Sequence, residues 1–383
     1  MNVLFLTTWY PTIENPNFGV FVKEHTHAIR FSGHNIVVAA LLIKKSNHLL
    51  RIKNIEYQDD KEVRTIIIEV NSVFKDFIYY AEYLQYILLK NTVKKLMKSG
   101  FHPDIIHSNV VYPAGIFGRR FSELYKVPYI ITEHWSRVES TMKIPVISTQ
   151  IANAYKNAAR ILPVSDFLKK KISALLPELF DKKFVTVGNV VDSGTFFYHE
   201  NNHRNEDIRF CAIASWVNKK VPDKLPELFI EALSEFQKQS KYSISLTMIG
   251  GGDRIEELKK LCVKKNVKAV FTGYLSKVEI AEYLQKSDYF IHASTIETFG
   301  IVTAEALMCG TPVICSDTGA LPELINETNG VLCENNPESW IIGLKKLTSK
   351  KFNHALIASD ISQKYDFRNI GKLISSVYDS VKQ

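Results

Sequence analysis

Two glutamates, Glu297 and Glu305, stand eight positions apart in the stretch STIETFGIVTAEALMCGTPVI (294–314). A Phe299-Gly300 pair lies between them. Carboxylates at fixed spacing around a glycine can accept hydrogen bonds from neighbouring hydroxyl groups of a ligand. The alternative is that both are solvated side chains, one of them favourably close to a helix N-terminus.

The elements around these glutamates follow from local patterns. The order is strand, glycine loop, helix and strand, which is a βαβ unit. The predicted segments are a buried strand at DYFIHAS (288–294), a helix over 301–309 that ends at Gly310-Thr311-Pro312, and a strand at PVICSD (312–317). Free N–H groups at the helix start suit a phosphate. Glu305, about one turn into the helix, is then placed for vicinal sugar hydroxyls, and Glu297 for hydroxyls beyond the phosphate.

Strands alternate with helical stretches along the whole chain of 383 residues. This alternation indicates an α/β protein with parallel sheets covered on both faces, and two such series predict two doubly wound domains. The predicted strands lie at 2–8, 35–42, 63–70, 104–109, 129–134, 160–165, 183–189, 208–216, 242–250, 269–274, 288–294, 312–317 and 330–333. The predicted helices include 19–33, 75–98, 173–180, 279–287 and 301–310.

We expect an N-terminal domain over 1–190, a polar linker over 191–207, a C-terminal domain over 208–365, and a last helix at 366–383 that packs back on the N-terminal domain. Ligands of doubly wound sheets bind at the carboxyl ends of the strands. With two domains, the shared cleft is the expected site.

Composition bounds the class of protein. A hydrophobic content of 46% and a charged content of 23% are typical of a globular protein, and no apolar stretch approaches the roughly 18–20 residues that span a bilayer. The N-terminal MNVLFLTTWYP predicts a strand and turn rather than a signal peptide. The five scattered cysteines predict reduced core residues and a cytoplasmic location.

Positive charge is concentrated in the first half. Residues 1–190 hold 25 Lys and Arg against 16 Asp and Glu, whereas the remainder holds 23 against 24. This asymmetry suits peripheral contact with an anionic membrane surface, or is ordinary solubilising charge. The helix predicted at 75–98 carries Tyr79, Tyr83 and Tyr86 on one face and a basic end, so it either docks on a membrane or faces the core. No aromatic–basic motif supports nucleic-acid binding.

Longer motifs resemble a known family. ETFGIVTAEALMCGTPVICSDTGALPELI (297–325) is similar to the E-x7-E region of retaining glycosyltransferases of the GT-B fold, family 4 (group 1 type). Nearly the whole chain shares the likeness, through segments 19–39, 103–109, 129–135, 159–172, 187–192 and 249–253.

The resemblance implies two Rossmann-like domains facing each other across a cleft and transfer of a sugar from a nucleotide-sugar donor with retention of anomeric configuration. By resemblance Glu305 binds the ribose and Glu297 the donor sugar, with donor contacts from Thr298, Phe299, Gly300 and Ile301. Base contacts are expected near Tyr274 and Leu275, mainly through the backbone. The acceptor is expected to be a sugar or lipid-linked precursor of a cell-envelope polysaccharide or glycolipid.

Further roles also come from the resemblance. A basic pair that stabilises the leaving diphosphate corresponds to the stretch ASWVNKKVPDKL (214–225), with Lys220, or alternatively Lys219, as the lysine. Ser215 stands where the family usually has arginine, so it is a departure in the donor site. His134 is expected beside the donor sugar, and Gly19 where backbone approaches the diphosphate. His107, Asn109 and Ser165 are further cleft candidates.

No separate general base is evident, and a retaining reaction on one face lets the leaving phosphate accept the acceptor's proton. Histidines and acids show no metal-ligand spacing, so we expect neither a metal nor another cofactor. Two alternatives stay open: a nucleotide-sugar-binding protein without transfer activity, and a nucleotide-sugar epimerase of the same fold.

Overall fold

The computed structural model describes residues 1–136, 138–179, 183–200, 207–219, 223–240 and 242–382. The chain forms two compact units, one of Met1–Val190 with Phe367–Gln383 and one of Val191–Asp366. The main chain therefore leaves the first unit once, builds the second, and returns with its last helix.

The first unit is a seven-stranded sheet flanked by helices, with strand order β3-β4-β2-β1-β5-β6-β7. All strand pairs are parallel except β3 with β4. Its elements are β1 (Asn2–Thr7), α1 (Val20–Phe31), β2 (Asn35–Lys45), β3 (Arg51–Gln58), β4 (Arg64–Ser72), α2 (Lys75–Tyr80), α3 (Glu82–Lys98), β5 (Ile105–Asn109), a π-helical turn (Val111–Gly115), α4 (Ile116–Tyr125), β6 (Tyr129–Glu133), α5 (Val138–Thr141), α6 (Pro145–Asn157), β7 (Arg160–Pro163), α7 (Asp166–Leu175) and the C-terminal α15 (Phe367–Lys382).

The second unit is a six-stranded parallel sheet of order β10-β9-β8-β11-β12-β13. Its elements are β8 (Asp207–Ile213), α8 (Pro226–Gln239), β9 (Ser243–Ile249), α9 (Ile255–Lys264), β10 (Lys268–Gly273), α10 (Lys277–Lys286), β11 (Tyr289–His292), α11 (Ile301–Met308), β12 (Val313–Ser316), α12 (Leu321–Leu324), β13 (Gly330–Cys333), α13 (Pro337–Ser349) and α14 (His354–Tyr365).

Both sheets have the doubly wound strand order, once the antiparallel β3 is set aside. The order reverses between β1 and β5 in the first unit and between β8 and β11 in the second. Ligands of such sheets bind outside the carboxyl ends of the strands at this reversal. The predicted α/β class with two Rossmann-like domains is confirmed.

Helix α15 is part of the first unit. The buried Tyr378 hydroxyl lies 2.7 Å from His107 Nδ1, and Ser375 Oγ lies 2.9 Å from His34 Nε2. Gly371 lets the helix approach α1, because a Cβ there would lie 2.4 Å from the Ala28 carbonyl oxygen. The last helix is thus held by polar and close-packing contacts. In the region predicted as a linker, Phe196 is buried and Val191 N donates to Tyr365 O at 2.9 Å.

Several elements differ from the prediction. Strand β3 was not predicted, because RIKNIEYQ is an exposed edge strand with no apolar face. The strand predicted at 183–189 has one bridge, Phe184 with Ile161, so it is an extended segment beside β7. The helix predicted at 173–180 ends at Leu175 and starts at Asp166, because Ser165 caps its N-terminus by accepting from Leu168 N at 3.1 Å.

The predicted helix 75–98 is broken at Ala81 into α2 and α3. The buried Gln85 side chain donates to the carbonyls of Ile78 (2.7 Å) and Tyr79 (2.8 Å), which ends α2. The prediction that Tyr79, Tyr83 and Tyr86 lie on one face of a single helix is therefore wrong. Tyr86 is buried against Phe121, Tyr79 is half-buried, and Tyr83 is exposed.

Candidate active site

The turn from β11 into α11 places the two glutamates of the sequence motif. Gly300 is the residue before the helix and has φ 86° and ψ 55°, a left-handed conformation that favours glycine. A Cβ at this position would also lie 2.7 Å from Leu321 Cδ2. The turn can therefore be tight, and α11 begins at Ile301 with its first N–H groups at the carboxyl end of the sheet.

A second turn fixes Glu297 from the side. The Ala320 N–H donates to the Glu297 carbonyl at 2.9 Å, and a Cβ on Gly319 would lie 2.1 Å from that same oxygen. Gly319 has φ 60°, so both space and conformation call for glycine there. The turn at Gly319-Ala320 therefore packs directly on the backbone that carries the Glu297 side chain.

The Glu297 carboxylate is paired with two basic groups. Its Oε1 accepts from the Lys224 ammonium, and His292 Nε2 lies 2.8 Å away. Burial raises the pKa of Glu297, but Lys224 and then His292 outweigh it and hold the pKa at about 2. Burial and the nearby Lys224 lower the pKa of His292. At neutral pH the cluster is a carboxylate bound to an ammonium, beside a neutral imidazole.

Two backbone hydrogen bonds hold the chain around Lys224 in place, and they join the loop before α8 to the loop after β11. Leu225 N donates to Ala293 O at 3.0 Å, and Thr295 N donates to Asp223 O at 3.0 Å. Sequence reasoning missed both Lys224 and His292. The available signal for Lys224 was its position two residues before Pro226, the first residue of α8.

The family resemblance assigns Lys220, or alternatively Lys219, to the leaving diphosphate. Lys220 lies outside the described residues. Lys219, the alternative, forms an ion pair with Asp223 four residues on. Ser215 is exposed after β8.

A glycine turn after β9 packs against the residues following β8. Trp216 N donates to Gly251 O at 2.9 Å, and the indole N–H donates to Ile249 O at 3.0 Å. A Cβ on Gly251 would lie 2.6 Å from the ring of Tyr274, so this ring lies directly on the turn. Tyr274 is exposed and Leu275 is half-buried, at the carboxyl end of β10.

The other predicted donor residues lie at the same end of the second sheet. The Phe299 side chain is buried against Tyr365, with ring centroids 5.1 Å apart, so it serves packing and leaves only its backbone for a ligand. Thr298 and Ile301 are partly exposed at the helix start. Glu305 lies on α11 one turn further and is half-buried.

Gly19 and His134 form a separate group in the first unit. Gly19 precedes α1 with φ 72°, and a Cβ there would lie 2.7 Å from the Trp9 carbonyl carbon, so its close approach is to the chain itself. His134 follows β6, is buried, and lies against Phe21 with ring centroids 4.8 Å apart. The Nε2 atom of His134 lies 2.9 Å from Asn109 Nδ2, so the Asn109 side chain positions the His134 ring.

His134 belongs to a group of three buried histidines. Burial lowers the pKa of His25 to about 4 and that of His107 to about 3, and it lowers the pKa of His134 well below 6.5. All three rings are neutral near pH 7. His107 is hydrogen-bonded to the Tyr378 hydroxyl and to Thr132 Oγ1 (2.6 Å), so it links β5 to α15 and β6; its place in a ligand site stays a prediction.

A fully buried carboxylate, Glu133, closes the turn that carries His134. It accepts from the backbone N–H groups of Val111 (2.9 Å), His134 (3.0 Å) and Trp135 (2.8 Å) and from the Tyr155 hydroxyl (2.7 Å). Burial raises the pKa of Glu133, although the four hydrogen-bond donors act to lower it.

Ser165, another predicted site residue, is the N-terminal cap of α7.

The described residues contain neither a candidate membrane span nor a candidate metal site. None of the helices described is both long and apolar enough to cross a bilayer. Within the same ranges, no three His, Cys, Asp or Glu side chains are grouped as metal ligands would be. Metal independence stays a prediction. All five cysteines are buried free thiols.

Comparisons with known proteins agree with this architecture. The family model "Glycosyltransferase Family 4" matches residues 19–194, and "Glycosyl transferases group 1" matches residues 201–362. An uncharacterized glycosyltransferase of Methanocaldococcus jannaschii, MJ1178, is 24% identical over 78% of this chain and 82% of its own. The putative teichuronic acid biosynthesis glycosyltransferase TuaC of Bacillus subtilis is 24% identical over 87% and 85%.

Among solved structures, Anabaena Alr3699/HepE in complex with UDP superposes with a TM-score of 0.73 at 16% identity, over 99% of this chain and 100% of that one. At this identity the likeness concerns the fold alone. The two family models together extend from residue 19 to residue 362. The chain belongs to the family 4, group 1 glycosyltransferases, and its fold is GT-B.

Proposed function

We propose that this glycosyltransferase moves a sugar from a nucleotide-sugar donor to a saccharide or lipid-linked acceptor with retention of anomeric configuration. The observation that carries the proposal is the cluster of Glu297, Lys224 and His292 beside the N-terminus of α11. It combines an anion-binding helix start, a cation and a fixed carboxylate in one place. These are the groups that a sugar diphosphate needs.

In the proposed reaction the bond from the anomeric carbon to the donor phosphate breaks while a bond to the acceptor oxygen forms on the same face. Negative charge grows on the leaving diphosphate. The α11 N–H groups and Lys224 are placed to stabilise it, because fixed donors aimed at developing charge are the strongest catalytic contribution. The acceptor's proton passes to the leaving phosphate, so the step needs no further base.

The remaining roles follow from the chemistry of each group. Glu297 is ionised, with a pKa of about 2, and therefore accepts hydrogen bonds from donor-sugar hydroxyls throughout the neutral range. Glu305, one turn into α11, is assigned the ribose hydroxyls. The exposed Tyr274 ring on the glycine turn is assigned the base edge of the pocket, with Leu275.

The donor and acceptor classes are proposals drawn from relatives. HepE was solved with UDP, so a UDP-sugar is our first candidate donor. TuaC is named for teichuronic acid biosynthesis, so a cell-envelope polysaccharide precursor is our first candidate acceptor. The cytoplasm, the location predicted from the cysteines, is our proposed site of this transfer.

The test is a thermal-shift panel of the purified protein with UDP, GDP, ADP and CMP and with sugar conjugates of each. A ligand that binds only the folded state raises Tm by mass action. We expect a shift with one nucleotide that is lost in Glu305→Ala. The matched control is Glu338→Ala, an exposed glutamate in the first turn of α13. A shift that survives in Glu305→Ala places the nucleotide elsewhere.

Turnover separates transfer from binding alone. With the donor identified, NMR of the product should show an anomeric configuration equal to that of the donor; inversion would refute the retaining assignment. A donor that shifts Tm yet yields only an isomerised sugar nucleotide would favour the epimerase alternative. A donor that binds without any reaction would favour the binding-protein alternative.

A further inference from the structure

Large apolar side chains are exposed together on one part of the first unit. The group, called here the apolar rim, consists of Leu49, Leu50, Val73, Phe74, Phe77 and Tyr80. The exposed fraction reaches 75% for Leu49 and 72% for Phe77. Single exposed apolar residues are ordinary, but a contiguous group marks a surface that contacts a membrane or another protein.

The two halves of the rim are joined by one backbone hydrogen bond and one hydrogen bond from a side chain. Val73 N donates to His48 O at 2.8 Å, and Ser72 Oγ donates to Leu49 O at 2.5 Å. Phe74 is the residue before α2, and Phe77 and Tyr80 follow it at three-residue spacing on the helix, so successive side chains of the three are neighbours. The rim is therefore made by the turn between β2 and β3 and by α2 with the two residues before it.

Three cations flank the rim residues in the chain, against one exposed carboxylate, Asp76 on α2. Lys45, Arg51 and Lys75 form no ion pair with any described carboxylate, whereas Lys44 is held by Glu14 at 2.9 Å and Glu69 at 2.6 Å. Residues 45–53 contain no Asp or Glu. Apolar side chains edged by unpaired lysine and arginine are the composition that binds the interface of an anionic bilayer.

A pocket of about 400 Å³ opens beside the rim at the carboxyl ends of β1 and β2. Aromatic walls come from Trp9, Tyr10, Phe18 and Tyr79, and Lys45 and Lys75 also line it. Lys75 is at once a wall of the pocket and the first residue of α2, between Phe74 and Phe77 of the rim. A membrane or protein surface that binds the rim would therefore also lie close to the opening of the pocket.

We propose that the apolar rim docks on a bilayer rich in anionic lipid, with lipid phosphates at Lys45 and Lys75, and so presents the pocket to an acceptor carried in that bilayer. The role of the pocket rests on the proposed transfer function, whereas the docking does not. A second copy of this chain is a poorer occupant, because a two-fold contact would bring the same unpaired cations of both copies together.

The test is sedimentation of the full chain with vesicles of phosphatidylcholine alone and of phosphatidylcholine mixed with phosphatidylglycerol. We expect binding to the mixed vesicles, and a partition coefficient lowered by about tenfold or more in Phe74→Ser/Phe77→Ser. The matched control, Val263→Ser/Ile342→Ser, removes two exposed apolar side chains from the second unit and should bind like the wild type. Equal binding by the rim variant and the wild type would overturn the proposal.

A second comparison tests the charged residues. It sets Lys45→Gln/Lys75→Gln against Lys94→Gln/Lys98→Gln on α3, and both double variants change the net charge by the same amount. We expect weaker binding to the mixed vesicles in the first variant only. Equal weakening in both would overturn the assignment to Lys45 and Lys75, since it would reflect net charge. A dimer in light scattering that Phe77→Ser dissociates, without vesicle binding, would make the rim a self-interface and overturn docking.

Donor binding is the independent readout. Both variants should keep the wild-type nucleotide thermal shift, because their residues lie outside the second unit. Docking without any nucleotide shift in the wild type would refute the proposed function and leave the docking intact. A nucleotide shift without docking would refute the docking and leave the proposed function intact.

Discussion

The three buried histidines make the first unit sensitive to acid. His25 and His107 have pKa values of about 4 and about 3 in the folded chain, against a usual 6.5. The unfolded chain therefore binds more protons than the folded one below pH 6.5. Stability then falls as the pH is lowered through 6.5, and the loss grows until the folded pKa is reached.

The size of the effect follows from the pKa difference. At pH 5 an unfolded histidine of pKa 6.5 is favoured by about 2 kcal/mol relative to pH 7.5, while a buried ring of pKa about 4 stays mostly neutral. His25 and His107 together lower the free energy of unfolding by about 4 kcal/mol, and His134 adds in the same direction. This is a large part of the roughly 5–15 kcal/mol that holds a domain folded.

The informative variant is His25→Phe, which keeps a ring in the core and removes one titrating group. The free energy of unfolding should then fall by about 2 kcal/mol less between pH 7.5 and pH 5 than in the wild type. Glu133 titrates in both proteins and cancels in the difference, whereas removing the His25 charge raises the pKa of His107 and His134, which reduces the loss of stability in the same direction. The control is His102→Phe, which replaces an exposed histidine after α3 by the same side chain.

The assay is urea unfolding followed by tryptophan fluorescence at the two pH values. In a Trp216→Phe/Trp340→Phe background the remaining tryptophans, Trp9 and Trp135, both report on the first unit. An identical loss of stability in the wild type and the His25→Phe variant would refute the reasoning. So would a reduction of the same size in the control.

Three further outcomes follow from contacts in the two units. Lys224→Met should lower kcat by about 10²-fold with a smaller effect on donor affinity, as single-turnover rates and titration would show; equal losses in both would mean ground-state binding. Gly319→Ala should destabilise the second unit by about 1–3 kcal/mol in urea, because the new Cβ meets the Glu297 carbonyl. Gln85→Leu should cost about 1–2 kcal/mol in the first unit by removing two buried hydrogen bonds to the carbonyls of Ile78 and Tyr79, which keep only their second donors, Ala81 N and the Tyr112 hydroxyl; wild-type stability in either variant would contradict its account.

The parts of the structure that sequence patterns predicted are those set by local chemistry. The β11–Gly300–α11 turn was readable because a buried strand, a glycine and a run of helix formers lie within twenty residues. The edge strand β3 was not, since its residues are exposed and only pairing with β4 makes it a strand. The break at Ala81 depends on where one glutamine side chain bonds, which periodicity does not encode.

The candidate site shows the same division. Glu297 and Glu305 were found from their spacing within one motif. Lys224 was missed because its position depends on hydrogen bonds between residues 223–225 and residues 293–295, some seventy positions apart in the chain. A motif aligned along the sequence therefore selected neighbouring lysines, of which Lys219 is engaged by Asp223.

The interrupted first unit has a consequence for the order in which the chain is made. Its sheet leaves the ribosome early, yet α15 emerges only after the whole second unit has been synthesised. Until then His107 lacks the Tyr378 hydroxyl, and the α1 surface around Ala28 stays uncovered. The unit that begins to fold first is thus completed last, and a nascent chain stalled before residue 367 should present this surface to chaperones while its second unit is already formed.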